Sequence, residues 1–186
     1  MVKQLKKTYE NETFYKTYYN SPFGVLSLFS DGNSLIEIRF PSTRYHTIND
    51  ESKIEICDTL TVFSITKTWL NKYFNSEKPD INDLPLKFIG SEFRKKVMSL
   101  LCEIPYGTVV TYGEIAHKIN PKMSAQAVGN AVGHNPLCIV VPCHRVIGIN
   151  QNLVGFGGGL DLKKLLLKHE GVDISKLKTP TKGNAL

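Results

Sequence analysis

Hydrophobic and polar positions first alternate one by one. Across residues 13–40 aromatic and β-branched side chains trade places with polar ones, and Asp31-Gly32-Asn33 separates the runs FGVLSLFS and SLIEIRF. That pattern predicts a hairpin or small sheet. The period then lengthens: residues 54–75 read as a helix ending in TWLNKYF, and the Pro-, Asp- and Asn-rich stretch 75–87 reads as a linker. We place a domain boundary there, with residues 1–86 as an N-terminal α/β structural domain. Beyond it, Phe93, Val97, Leu100, Leu101 and Ile104 recur at helical spacing until IPYG stops the helix.

Thr111 and Glu114 stand in capping-box spacing and start a short helix near Tyr112. NPKM turns the chain, and Ser124 can cap a second helix, SAQAVGNAVG, which ends at Gly133-His134-Asn135-Pro136. Two short helices across a turn make a helix-turn-helix candidate, although a helical hairpin in an ordinary core has the same pattern. CIVV then predicts a buried strand, and RVIGINQNLVGFGGG a turn-rich return. LDLKKLLLKHEG predicts a last helix with Leu160, Leu162, Leu165 and Leu166 inward and Lys163, Lys164 and Lys168 outward.

The second short helix is unusual in content. Ala125, Ala127, Gly129, Ala131 and Gly133 leave one face almost bare, and each interior Gly costs roughly 1 kcal/mol relative to Ala. A helix that reads bases in the major groove presents long polar side chains, whereas this one has little beyond Gln126 and Asn130. A smooth face instead permits close approach, to a narrow groove or to a neighbouring helix.

Composition narrows the class. With 186 residues and 41% hydrophobic content the chain can build its own core. Cys57, Cys102, Cys138 and Cys143 form no CxxC pair and are too sparse for a disulfide scaffold, so reduced thiols and a cytoplasmic location are expected. No apolar run follows the basic N-terminus and none reaches eighteen residues, so neither secretion nor a membrane span is expected, and the Asn11-Glu12-Thr13 sequon is read as chance. The charge is lopsided: residues 1–86 carry 10 Lys+Arg against 11 Asp+Glu, and residues 87–186 carry 13 against 6. A positive half suggests a polyanion partner; a solubilising Lys-rich face and tail (Lys176, Lys178, Lys182) gives the same count.

IVVPCHRVIG carries the chemistry, with Cys143, His144 and Arg145 side by side after an apolar run. A cysteine attacks as thiolate, which requires a nearby cation, imidazole or helix start. Pro142 suits a first helical position, which would put Cys143 among free backbone N–H groups. His144 could serve as base through a bridging water, with Glu170 orienting the imidazole. The alternatives are an inert core thiol, a cysteine protease, which lacks its oxyanion arrangement here, and zinc held by His134, Cys138, Cys143 and His144. Their spacing matches no common zinc site, and Cys138 should point into the core, so no metal is expected.

Taken in order, IPYGTVVTYGEIA, SAQAVGNAVGHNP, VVPCHRVIG and LVGFGGGLDLKKLLLKHEG resemble the methylated-DNA-protein-cysteine methyltransferase family over residues 88–173. The resemblance implies an α+β fold, with a small N-terminal mixed sheet and a C-terminal, winged-helix-like helix-turn-helix domain over residues 87–175, then a basic tail, 176–186. It implies irreversible, single-turnover transfer of an alkyl group from O6-alkylguanine in double-stranded DNA to Cys143, with His144 relaying the proton through a water and Glu170 completing the relay. By the same resemblance Tyr112 contacts the flipped base and Asn135 is the hinge between recognition helix and acceptor segment. Arg145 is structural, the Val146 carbonyl faces the base, and the Gly157 N–H holds the guanine oxygen. Phe156 stands where a tyrosine is common, Gly157 where a serine is, and Gln126 where an arginine enters the base stack. No cofactor is implied, since the methyl group leaves DNA rather than arriving on it. DNA binding with little sequence preference and a monomeric state are expected. A catalytically silent sensor of alkylated bases is the alternative, against which the intact Cys143 argues.

Overall fold

A computed structural model describes residues 13–43, 46–48 and 50–179. Asn11 of the sequon and the end of the basic tail, including Lys182, lie outside the described residues.

The alternating stretch forms three antiparallel strands, β1 (Phe14–Ser21), β2 (Gly24–Ser30) and β3 (Leu35–Arg39). The helix expected over 54–75 divides. Ile54–Ile56 is a strand, β4, lying parallel to β1 with Ile54 opposite Phe14, and the helix α1 begins only at Thr61 and runs to Phe74. Two β-branched residues alternating with Glu55 favour a strand once a pairing edge is available. The sheet order is β3-β2-β1-β4.

The stretch 75–87 is not a loose connection. Leu35 N–H donates to Pro85 O (2.7 Å) and Lys87 N–H to Leu35 O (3.1 Å), while Ile38 N–H donates to Pro136 O (2.8 Å). The outer edge of β3 is thus covered by segments from both halves of the chain, which removes an exposed pairing edge. One core continues across them, from Leu28 and Ile38 through Phe63 and Leu70 to Val97, Leu101, Val128 and Leu166.

Downstream, α2 (Glu92–Cys102) is capped by Ser91, whose Oγ accepts from Arg94 N–H (3.3 Å). β5 (Val110–Thr111) lies parallel to β6 (Val146–Ile147). α3 (Tyr112–Ile119) carries the full Thr111–Glu114 capping box, and α4 (Ala125–Gly133) is capped by Ser124. These two helices pack on each other and α4 also packs on α2. The bare face of α4 divides: a Cβ on Gly129 would lie 3.7 Å from the Tyr112 ring, whereas Gln126, Asn130 and Gly133 are exposed.

Two expectations about the last segments fail. CIVV is buried but is no strand: Ile139 adopts φ +74°, and Val141 N–H bonds back to Leu137 O (2.8 Å), so the segment coils on itself and forms no ladder. In the last helix, α5 (Leu160–His169), Leu165 is exposed and Leu167 buried, and Lys163 points inward and is fully buried. Residues 160, 163 and 167 share the face that a 3.6-residue period turns to the core.

Candidate active site

Cys143 opens a three-residue 3-10 turn, Cys143–Arg145, held by Arg145 N–H donating to Pro142 O (3.0 Å). Pro142 sits one residue before the turn rather than inside it, and Cys143 N–H is already bonded to Val141 O (2.8 Å). The expected cluster of free N–H groups is therefore absent, because so short a turn spends its donors locally. The thiol's surroundings are side chains instead. Asn135 Nδ2 lies 3.0 Å from Cys143 Sγ and 2.8 Å from Val141 O, while Asn135 Oδ1 accepts from Leu137 N–H (2.9 Å). Buried just past the end of α4, this amide ties the helix to the acceptor turn.

The Cys143 thiol is pushed below its usual range, first by a hydrogen bond from the Cys138 thiol and then, against the opposing cost of burial, by the Asn135 amide and the charge of Lys163. Cys138 is driven the other way, well up, and keeps the proton of the pair. Of the two thiols it is therefore Cys143 that becomes the anion. Burial pulls Lys163 down to about 8, the Cys143 charge opposing. Its ammonium donates to Val146 O (2.6 Å) and Val154 O (3.0 Å).

Glu170 caps the end of α5 and collects donors from three other segments. Oε1 accepts from Tyr73 Oη (2.8 Å), His144 Nε2 (2.6 Å) and Arg145 Nη2 (3.0 Å); Oε2 accepts from Arg145 Nε (2.8 Å) and Gly107 N–H (3.2 Å). Burial acts to raise this carboxyl, but His144 and Arg145, by hydrogen bond and charge, outweigh it and hold Glu170 well below the carboxylate range. Gly107 is required where it stands, at φ +74°, since a Cβ would lie 2.8 Å from the Glu170 carbonyl oxygen. Arg145 also donates to Ile104 O (2.5 Å), so it braces the site from beneath.

An ionised carboxylate only accepts, so His144 Nε2 carries the hydrogen and Nδ1 is left as the acceptor. Nδ1 is buried and has no hydrogen-bond partner among the described residues. Burial, more than any neighbour, keeps the imidazole neutral, with Glu170 opposing. The result is a buried base with one open lone pair beside an acidified thiol.

The remaining candidates are distributed around this centre. Tyr112, half-buried at the start of α3, has its phenol pushed up by burial and then by the Cys143 charge. Val132, Asn135, Cys138, Cys143, Phe156 and Gly157 line a cavity of about 20 Å³. Val146 is buried, its carbonyl turned to Lys163, and Gln126 is exposed on α4. Of the zinc set, His134 Nδ1 bonds Asn130 O (2.7 Å), and no group of three His, Cys, Asp or Glu among the described residues is placed to hold a metal. Sequence reasoning missed Lys163, Tyr73 and the part Cys138 plays at the thiol. The helical period could have exposed Lys163; nothing local in TWLNKYF points Tyr73 at Glu170.

Comparison with known proteins bears on the same residues. The family model for the 6-O-methylguanine DNA methyltransferase ribonuclease-like domain matches residues 14–88, and that for the DNA binding domain of the same family matches residues 92–172. The chain belongs to the 6-O-methylguanine DNA methyltransferase family. Within that family it is 42% identical, over 158 residues, to the methylated-DNA–protein-cysteine methyltransferase of Haemophilus influenzae, covering 85% of this chain and 87% of that one. The Methanosarcina acetivorans methyltransferase is 40% identical over 84% of this chain and 98% of its own. The crystal structure of Mycobacterium tuberculosis OGT in complex with DNA superposes with a TM-score of 0.76 at 36% identity, covering 88% of this chain and 94% of that one. No helix among the described residues is long and apolar enough to cross a membrane.

Proposed function

We propose that this protein repairs DNA by moving a methyl or larger alkyl group from O6 of guanine onto its own Cys143, once per molecule. The observation that carries the reading is the buried imidazole of His144, whose Nε2 is hydrogen-bonded to Glu170 Oε1 (2.6 Å) while its Nδ1 is an acceptor with no partner among the described residues, next in sequence to Cys143. A damaged base is swung out of the duplex into the pocket, which costs less where pairing is already weakened. The Cys143 proton passes to His144 Nδ1 through a bridging water, and Glu170 stabilises the imidazolium. The thiolate attacks the alkyl carbon: the S–C bond forms, the C–O6 bond breaks with its electron pair going to the guanine, and the base, still attached to the DNA, takes up a proton through water as the imidazolium returns to neutral. The thioether is stable, so the protein is consumed.

The other residues take positioning roles in this reading. Asn135 holds the thiolate and fixes the acceptor turn to α4. Arg145 clamps Glu170. The second lone pair of the Val146 carbonyl is available to the base, the Gly157 N–H faces O6, and Tyr112 and Phe156 border the base. Gln126, which is exposed on the smooth face of α4, fills the vacated stack in this reading. With so little on that helix to read base edges, duplex binding with little sequence preference follows, driven by phosphate contacts of the positive half. We assign residues 1–86 a supporting role, residues 87–175 DNA binding and alkyl acceptance, and the basic tail from 176 a subsidiary one; the working form is a cytoplasmic monomer.

Intact mass after mixing with duplex carrying O6-methylguanine tests the reading. The protein should gain one methyl group, Cys143→Ser none, and Cys57→Ser and Cys102→Ser one each. Methyl uptake by Cys143→Ser would refute the assignment.

A further inference from the structure

We propose that Tyr73, contributed by α1, is a positioning residue for the proton relay: its phenol pins Glu170 Oε1 and draws charge from it, which governs how readily His144 takes the Cys143 proton. The inference rests on the relay described above and extends it into the first half of the chain.

Among the described residues three donors converge on Glu170 Oε1, and the one from the first half of the chain is Tyr73, at 2.8 Å across 97 residues of sequence. The ring is 1% exposed, stacked on Trp69 (5.6 Å between centroids, 8°) and edge-on to Phe74 (5.1 Å) and Tyr106 (5.9 Å). His169 Nε2 donates to the Tyr73 backbone oxygen (2.9 Å), so the ends of α1 and α5 are tied next to the phenol–carboxylate bond. The phenol is thus aimed from both sides. A tyrosine that merely filled the core would need some acceptor for its hydroxyl, but this acceptor is the oxygen that also receives the imidazole.

Among the described residues the charged and titratable groups around the pair include Arg145 on the carboxylate, Lys163 beyond His144, Tyr106 and His169 beside the Tyr73 ring, and, further out in the cavity that Tyr73 lines, Lys78, Asp80 and Cys102. Burial and then the Glu170 charge hold the Tyr73 phenol far above its usual range, so it remains a donor throughout the working pH. Without that hydroxyl, negative charge on Oε1 is less dispersed and His144 becomes more basic. It then takes a proton from solvent at a higher pH, before Cys143 can supply one. The acid limb of the transfer profile should therefore move upward.

Tyr73→Phe keeps the ring and removes only the hydroxyl. Single-turnover methyl transfer is measured from pH 5 to 9 on duplex DNA and on free O6-methylguanine base, with mass spectrometry locating the methyl group. The expected result is an acid limb displaced upward by about half a unit, hence roughly threefold slower transfer below it, with the alkaline plateau changed by less than about twofold on both substrates. Phe74→Leu, which loosens the same aromatic cluster without touching Glu170, should lower the melting temperature and leave the limb in place. An unmoved limb in Tyr73→Phe, slowing that is uniform in pH, or an equal displacement in Phe74→Leu overturns the proposal. Transfer that persists in Cys143→Ser would instead remove the relay reading itself, so the two failures are distinct.

Discussion

Asn135→Ala removes one side chain and breaks three buried hydrogen bonds. The Val141 carbonyl and the Leu137 N–H lose their partners, and the Cys143 thiolate loses a donor. A buried backbone group stripped of its partner costs about 1–3 kcal/mol, so the two together cost roughly 2–6 kcal/mol of folding stability. In a chain of this length that corresponds to a melting temperature lower by roughly 5–20 °C. Asn135→Asp separates stability from chemistry. It keeps an oxygen for Leu137 N–H, but it puts a second anion beside the thiolate and the Val141 carbonyl, so Cys143 is driven back toward its protonated form. Transfer should then fall by more than tenfold at pH 7, and the loss should shrink as pH rises. Urea unfolding supplies the stabilities, and single-turnover methyl transfer at pH 7 and pH 9 supplies the rates. Destabilisation below about 1 kcal/mol by Asn135→Ala, or a pH-independent rate loss in Asn135→Asp, would show that the amide does not hold these groups.

If Gln126 fills the stack, Gln126→Ala slows repair of duplex DNA and leaves transfer from free O6-methylguanine base nearly unchanged, while Gln126→Arg speeds the duplex reaction alone; equal slowing on both substrates by Gln126→Ala would sink the flipping role. Lys163 is held near 8 against an ordinary 10.5, so between those values the unfolded chain binds more protons and stability rises with pH. Lys163→Met should lack that rise, a difference of about 3 kcal/mol between pH 7.5 and 10.5 in urea unfolding, and should slow transfer at neutral pH by removing a cation whose charge favours the thiolate; parallel pH curves for the two proteins would refute the assignment.

What the sequence disclosed followed from local rules. The capping box at Thr111 and Glu114, the Ser124 cap and the alternation through β1 to β3 depend on neighbours within a few residues, and all appear in the structure. The acceptor motif was legible because P-C-H-R is contiguous. The errors arose where distant segments decide. Ile54–Ile56 is a strand because β1 offers an edge, and CIVV coils because the backbone is held by its own turn and by Asn135. A lysine on a helix is usually solvated, yet the carbonyls that accept the Lys163 ammonium lie 9 and 17 residues away. Tyr73 meets Glu170 across 97 residues, a contact no local pattern encodes.

The small volume beside Cys143 carries a kinetic consequence. A cavity of about 20 Å³ is on the scale of one water molecule, so it is too small for a purine. A base can enter only if part of the lining gives way, and the segment bearing Phe156 and Gly157 is the side of the cavity formed by a turn-rich loop. If such an opening precedes capture, apparent affinity for the extrahelical base is scaled by the open fraction: with one molecule in about a hundred open, affinity falls about a hundredfold, or roughly 2.7 kcal/mol. Exchanges that loosen the 155–159 loop would then speed capture of damage while leaving the chemistry at sulfur untouched, and the burial of Cys143 keeps an acidified thiol away from the electrophiles that surround it in solution.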